Sequence, residues 1–384
     1  MEHNYNWKAK REKKAFLALE DGTILKGYSV GAEIDNIGEV VFNTGVVGYQ
    51  EILTDPSYAG QFVTMTYPEI GNYGVNKDDD ESRGLFLNGF VIHSSNDASS
   101  WRSDEKLMDL LKRKNIPCIA GVDTRALTLK LRSSGVMKGF MHCSNEEISE
   151  EDAITKAKEW EGLNNKDYAS KVSLGEVFDW DQDASKTTSW GFSEDELPPI
   201  KHKVVAYDFG IKWNILRAMR MNGMDVKVVP AKTPASDVLA LNPDGIFFSN
   251  GPADPGAVTY AIDNAKELIG KKPIMGICLG HQLLSLACGA KHYKLKFGHH
   301  GCNQPIKNLK TEKIEIASHN HNFAISADDL PECLEITHIN LNDNTIAGIK
   351  HKSAPMFSVQ YHPEAGPGPH DPYYLFEQFS ELMG

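Results

Sequence analysis

The chain has 384 residues, long for one compact core, so two domains that each bury a core of their own are expected. With 41% hydrophobic and 24% charged residues the composition is that of a folding globular protein, and no biased tract points to extensive disorder. Its 40 basic and 52 acidic residues give a formal net charge of -12, which would repel nucleic acid and anionic membranes, leaving a small molecule or another protein as the expected partner.

The opening sequence MEHNYNWKAKREKKAFLALEDG is positively charged, but its apolar run, residues 15–19, is too short for a signal-peptide core. No segment approaches the ~18 apolar residues of a membrane helix, so a soluble cytoplasmic protein is expected. The amino-terminal half carries strand-like pieces at 39–42 and 62–67 among many glycines, with helical stretches around 106–114 and 124–132. It reads as a β-rich α+β domain over residues 1–190. Between 175 and 199 the chain turns acidic, loses apolar periodicity and ends in a double proline, as an interdomain linker does. Over 201–384 short apolar runs (204–207, 226–229, 245–249, 273–277) alternate with helical stretches (214–221, 236–241, 258–268). That alternation predicts an α/β domain whose parallel or mixed sheet is flanked by helices. The six cysteines, Cys118, Cys143, Cys278, Cys288, Cys302 and Cys333, include no CxxC pair, which fits reduced thiols better than a disulfide framework or a zinc site.

Gly276-Ile277-Cys278-Leu279-Gly280 lies between an apolar strand and the helical stretch HQLLSLACG, which Gly289 can end. A nucleophile flanked by glycines two residues away on either side is the pattern of a sharp strand-to-helix turn. Larger side chains at 276 and 280 would collide with the facing helix and strand, and the turn lifts the thiol to the positive end of a helix. A cysteine by itself is more often a buried structural residue; the paired glycines make Cys278 the candidate nucleophile. Near the end, an apolar strand at 356–360 runs into Tyr361-His362-Pro363-Glu364. Residues two apart project to one side of an extended chain, and Pro363 keeps this one extended, so Glu364 can reach the His362 imidazole and orient it. A strand-end histidine with no chemical role is the plainer alternative for His362.

Together, GICLGHQLL and QYHPE resemble the class I glutamine amidotransferases, whose catalytic groups are the corresponding cysteine, histidine and glutamate. Within that class the chain is similar to the carbamoyl-phosphate synthase small chains over nearly its whole length, through LEDGTILKGYSVG, GEVVFNTGVVGYQEILTDPSYAGQ, GVDTRALTLKLRSSGVMKG, VAYDFGIKWNILR, FFSNGPADPG, LKFGHHG and HPEAGPGPHD. The resemblance implies that Cys278, His362 and Glu364 hydrolyse L-glutamine, and that the Leu279 and Gly251 amides hold the oxyanion. It also implies that Gly45, Ala253, Gln282, Asn320, Asn322 and Phe323 contribute to glutamine binding. At three positions the chain departs from the family pattern. Gly45 stands where serine is usual, and Ala253 and Asn322 where glycine is usual; asparagine tolerates left-handed backbone better than most residues.

The chain shows no G-x-x-x-x-G-K-[ST] loop or dinucleotide fingerprint. With the resemblance, this implies no cofactor here, with ATP and Mg used by a large synthetase subunit in a heterodimer for arginine and pyrimidine biosynthesis. His299 and His300 belong to GHHG, while His319 and His321 are two apart. No carboxylate or cysteine accompanies them at ligand spacing, so no metal site is expected. The competing readings are an amidotransferase subunit of another synthase, which would lack the first domain, and a catalytically silent binding subunit.

Overall fold

The computed structural model describes residues 11–181, 185–188, 197–252, 254–328 and 330–384. It divides into two units: Met1–Thr54, Tyr58–Asp80 and Gly84–Leu163 form the first, and Asp55–Ser57, Glu81–Arg83 and Asn164–Gly384 the second.

In the first unit seven strands close a barrel: β1 (Lys14–Leu19), β2 (Ile24–Ser29), β3 (Asn36–Asn43), β4 (Gln61–Met65), β5 (Gly89–Val91), β6 (Cys118–Ala120) and β7 (Met137–His142). They follow the order β1-β2-β6-β5-β4-β3-β7, and β7 pairs back onto β1. Every residue of β4 is buried, and Val41, Val63, Phe90 and Cys118 share a core with Leu107, Leu110 and Leu111 of helix α1 (Leu107–Arg113). Helix α2 (Thr124–Ser134) starts at Asp123, whose carboxylate accepts the Ala126 N–H at 2.9 Å. Helix α3 (Glu150–Glu159) starts at Ser149, whose hydroxyl accepts the Asp152 N–H at 3.0 Å, with three acidic residues in the positive first turn. The β-rich α+β reading holds for this unit.

The second unit is built on a ten-stranded sheet. Its strands are β8 (Phe178–Asp179), β9 (His202–Asp208), β10 (Met224–Pro230), β11 (Gly245–Phe248), β12 (Ile274–Ile277), β13 (His292–Asn308), β14 (Ile314–Ile325), β15 (Leu334–Asn340), β16 (Ile346–His351) and β17 (Met356–Val359). The spatial order is β8-β10-β9-β11-β12-β17-β16-β15-β13-β14. The five strands from β10 to β17 are parallel, and the rest pair antiparallel. Strand residues alternate between two cores. Val204, Ala206, Phe247, Met275 and Ile277 face helices α4 (Trp213–Met221) and α8 (Tyr374–Met383). Val205, Tyr207, Ile246, Phe248 and Ile274 face α5 (Ala235–Ala240), α6 (Thr259–Leu268) and α7 (Leu279–Ala287). Burial on both sides is what the continuous apolar runs in the sequence required.

The division falls at Leu163/Asn164, before the acidic stretch 175–199, of which 182–184 and 189–196 lie outside the described residues. Backbone hydrogen bonds explain the difference. Asn165 N–H donates to Asp254, Leu174 N–H to Asp208, and Trp180 N–H to the Val226 carbonyl, while β8 pairs with β10. No helix among the described residues is long and apolar enough to cross a membrane.

Candidate active site

Strand β12 ends at Ile277, and α7 begins at Leu279. Between them Cys278 adopts φ 54°, ψ -105°, a conformation that costs a non-glycine residue roughly 1–3 kcal/mol and persists only where its surroundings hold it. Here Cys278 N–H donates to the Val359 carbonyl at 2.9 Å, and the Cys278 carbonyl accepts the Gln282 N–H at 3.2 Å. Both flanking glycines are sterically required. A Cβ on Gly276 would lie 2.6 Å from Leu284 Cδ1, and one on Gly280 would lie 2.0 Å from the Phe248 carbonyl oxygen.

The chain leaving β17 brings His362 alongside β14, where its N–H donates to the Ser318 carbonyl at 2.8 Å. His362 Nδ1 lies 2.6 Å from Glu364 Oε1, and both residues are fully buried. Burial opposes a charge on His362, but the Glu364 carboxylate and the adjacent Cys278 thiol outweigh it and push the imidazole pKa up, to about 10. Although Cys278 thus belongs to the electrostatic surroundings of His362, Nε2 makes no hydrogen bond, and Cys278 Sγ lies 3.5 Å from the Asn320 carbonyl. The thiol and imidazole are neighbours without a direct hydrogen bond between them.

A group that pattern reasoning missed completes this arrangement. Lys212, buried just before α4, donates from Nζ to Glu364 Oε1 at 3.0 Å and to the Ala365 carbonyl at 2.5 Å. Burial disfavours its charge, and Glu364, Glu81 and Asp55 restore it, raising its pKa. Burial likewise opposes ionisation of Glu364, but Lys212 and His362 hold its pKa down to about 2. Glu81 is pushed up to about 8, chiefly by burial, against the pull of Lys212 and Arg217. Asn214 fixes the backbone here, donating from Nδ2 to the Glu364 carbonyl at 2.6 Å and from N–H to Glu81 Oε2 at 3.1 Å. The available signal for Lys212 was a cation in an otherwise apolar stretch straight after a buried strand.

Leu279 is the first residue of α7, where a backbone N–H has no partner within the helix. Gly251 packs against it: a Cβ at 251 would lie 2.8 Å from Leu279 Cδ2 and 2.3 Å from the Phe209 carbonyl oxygen. Gln282 turns its amide to the Phe323 carbonyl at 2.8 Å and to Gln360 Oε1 at 3.0 Å. Asn320 donates to Asp55 Oδ2 at 2.9 Å, and His300 bridges Asn320 Oδ1 and Asn322 Oδ1 at 2.9 and 2.8 Å. Asn322 is not among the residues with positive φ; it lies within the strand β14, so the left-handed tolerance invoked for it is not used. Ala253 lies outside the described residues. Gly45 belongs to the first unit, where its N–H donates to Asn43 Oδ1 at 2.7 Å.

A thiol at a strained turn, an imidazole beside it and a buried carboxylate on the far imidazole nitrogen stand in the order that a nucleophile, a proton carrier and an orienting group would require. The family described as "Glutamine amidotransferase class-I" matches residues 205–382, and "Carbamoyl-phosphate synthase small chain, CPSase domain" matches 17–141. The carbamoyl phosphate synthase small chain of Rhodopirellula baltica is 51% identical over 383 residues, covering 97% of this chain and 96% of that protein. That of Syntrophotalea carbinolica is 50% identical, covering 96% and 98%, and that of Aquifex aeolicus 50%, covering 96% and 99%. With half of its residues identical to these relatives over nearly its full length, the chain belongs to the carbamoyl phosphate synthase small chain family.

Proposed function

We propose that this chain hydrolyses L-glutamine at Cys278 and supplies ammonia to a large synthetase subunit, in the cytoplasm, for carbamoyl phosphate formation. The observation that carries the reading is the 2.6 Å contact between His362 and Glu364 beside a cysteine held at positive φ. Cys278 passes its proton to His362 and attacks the carboxamide carbon, forming a C–S bond while the oxyanion rests on the Leu279 and Gly251 amides. The C–N bond then breaks, and His362 returns the proton to the departing ammonia, leaving a thioester. His362 next takes a proton from water, whose oxygen attacks the thioester carbon; glutamate leaves, and the thiol regains its proton. Gln282 and the segment from Asn320 to Phe323 would hold the glutamine α-amino and α-carboxylate groups. Bicarbonate, ATP and Mg chemistry belongs to the large partner in this reading.

The test is Cys278→Ser in the complex with its large subunit. Glutamine-dependent synthesis is expected to disappear while synthesis from added ammonia persists, since a serine hydroxyl is far less ionised than a thiol. Glutaminase turnover at the wild-type rate would remove Cys278 from the mechanism.

A further inference from the structure

His299, His319 and His321 are buried, and each offers a ring nitrogen within 4.8 Å of those of the other two. His299 on β13 pairs with His321 on β14, between two irregularities of register. Hydrogen-bond partners assign the tautomers. His321 Nδ1 lies 2.8 Å from the Phe323 carbonyl oxygen, which only accepts, so Nδ1 carries the hydrogen and Nε2 is bare. That Nε2 lies 3.0 Å from His319 Nδ1, which must therefore donate and leave its own Nε2 bare. His299 Nε2 lies 2.8 Å from Asp343 Oδ2, which leaves Nδ1 bare. Neither His319 Nε2 nor His299 Nδ1 has a hydrogen-bond partner.

The bare Nδ1 of His299 and the nitrogen pair shared by His319 and His321 lie in one buried cluster, where a Lewis acid can accept their lone pairs. Metal-bound histidines typically anchor their outer nitrogen on a carboxylate or a carbonyl, as His299 does on Asp343 and His321 on Phe323. The 3.0 Å between His319 Nδ1 and His321 Nε2 is close to the roughly 3.3 Å between two ligands of a tetrahedral ion with metal–nitrogen bonds of about 2.0–2.1 Å. Burial and the neighbouring imidazoles push the pKa values of His319 and His321 well down, keeping both rings in the neutral form that coordinates.

We propose that His299, His319 and His321 bind one divalent transition-metal ion of the kind neutral imidazoles select, with Asp343 as outer partner and countercharge and water completing the shell. The ion replaces the hydrogen between His319 and His321, and the His319 hydrogen moves to Nε2 without loss of a proton. The sequence argued against a metal because no carboxylate or cysteine stood near His319 and His321; the fold supplies His299 and Asp343 from other strands and loops. The carbonyl of Asn320, between two of the ligands, faces Cys278 Sγ, so the ion would also steady the strand against which the thiol rests.

Cobalt(II) titrated into the metal-free chain is expected to give the visible absorption of a tetrahedral ion, saturating at one equivalent and displaced by zinc(II). His299→Gln and His319→Gln should abolish the band. Asp343→Asn, on a partly exposed carboxylate, should keep the band but weaken affinity about 10- to 100-fold. A second group, Cys288, Cys333 and His351, could also take cobalt, although His351 Nδ1 already accepts the Ala354 N–H. The band should therefore survive Cys288→Ser with Cys333→Ser, and also Cys278→Ala. No band from the wild-type chain, as a buried water donating to both bare nitrogens would give, overturns the proposal. So does unchanged affinity in Asp343→Asn, a band that persists in His319→Gln, or one lost with the cysteines.

Discussion

One oxygen of Glu364 receives both the His362 imidazole, at 2.6 Å, and the Lys212 ammonium, at 3.0 Å. Removing its charge leaves an oxygen that can still accept from Nδ1–H, whereas removing His362 deletes the proposed proton carrier. His362→Asn should therefore lower glutaminase kcat about 10²- to 10⁴-fold, and Glu364→Gln by clearly less. Equal losses in steady-state assays would deny Glu364 an orienting role. The neighbouring Glu81 makes a separate, pH-dependent contribution. Its folded pKa, about 8, lies above the ordinary 4.5, so its contribution to stability is complete below pH 4.5 and is lost as pH rises through 8. His362, raised from 6.5 to about 10, acts in the same direction but only above pH 6.5. Between pH 4.5 and 6.5 the Glu81 contribution opposes that of buried histidines such as His281, His300 and His338, whose lowered pKa values make stability rise with pH, so in denaturant unfolding Glu81→Gln should steepen that rise. An unaltered slope would mean that Glu81 is ionised in the folded chain.

The strand-to-helix elbow was readable because each part of it leaves a residue type behind: two glycines where a Cβ would strike a neighbouring helix or strand, and a cysteine between them. Gly280→Ala sets a Cβ against the Phe248 carbonyl, a backbone atom unable to swing aside, so α7 must move relative to β11. A displacement near 1 Å at a reacting group costs about a hundredfold in rate, and a loss of that size in kcat, with a lower melting temperature, is expected. Wild-type values for both would show that the elbow has room to spare. The antiparallel strands β13 to β16 were not legible. The 17 residues of β13 mix buried and half-exposed positions without alternation, and the register shifts twice, so no period of two survives to be read. For the same reason, the hydrogen bonding of His300 with Asn320 and Asn322 had no counterpart in the sequence pattern: it depends on which residues face each other across β13 and β14.

At the scale of the whole chain, length was enough to indicate two units, but not where they divide. Acidity between 175 and 199 reports a segment's affinity for water, whereas the division follows backbone pairing that composition does not encode. Nor can local pattern announce that Asp55–Ser57 and Glu81–Arg83 group with the second unit, since the signal is a set of distant partners such as the Asn250 side chain, which donates to Ser57 Oγ at 2.9 Å. The two-residue strand β8 carries a further consequence, for colloidal behaviour. It caps one margin of the ten-stranded sheet by pairing Phe178 with Val228 and Asp179 with Lys227. A shortened chain begun at residue 201 would leave that margin of β10 with open donors and acceptors, a template onto which another copy could add a strand. Sedimentation of the 201–384 piece should therefore show self-association that grows with concentration, and the 164–384 piece should stay dispersed under the same conditions; identical behaviour of the two would mean that β8 does not guard the edge.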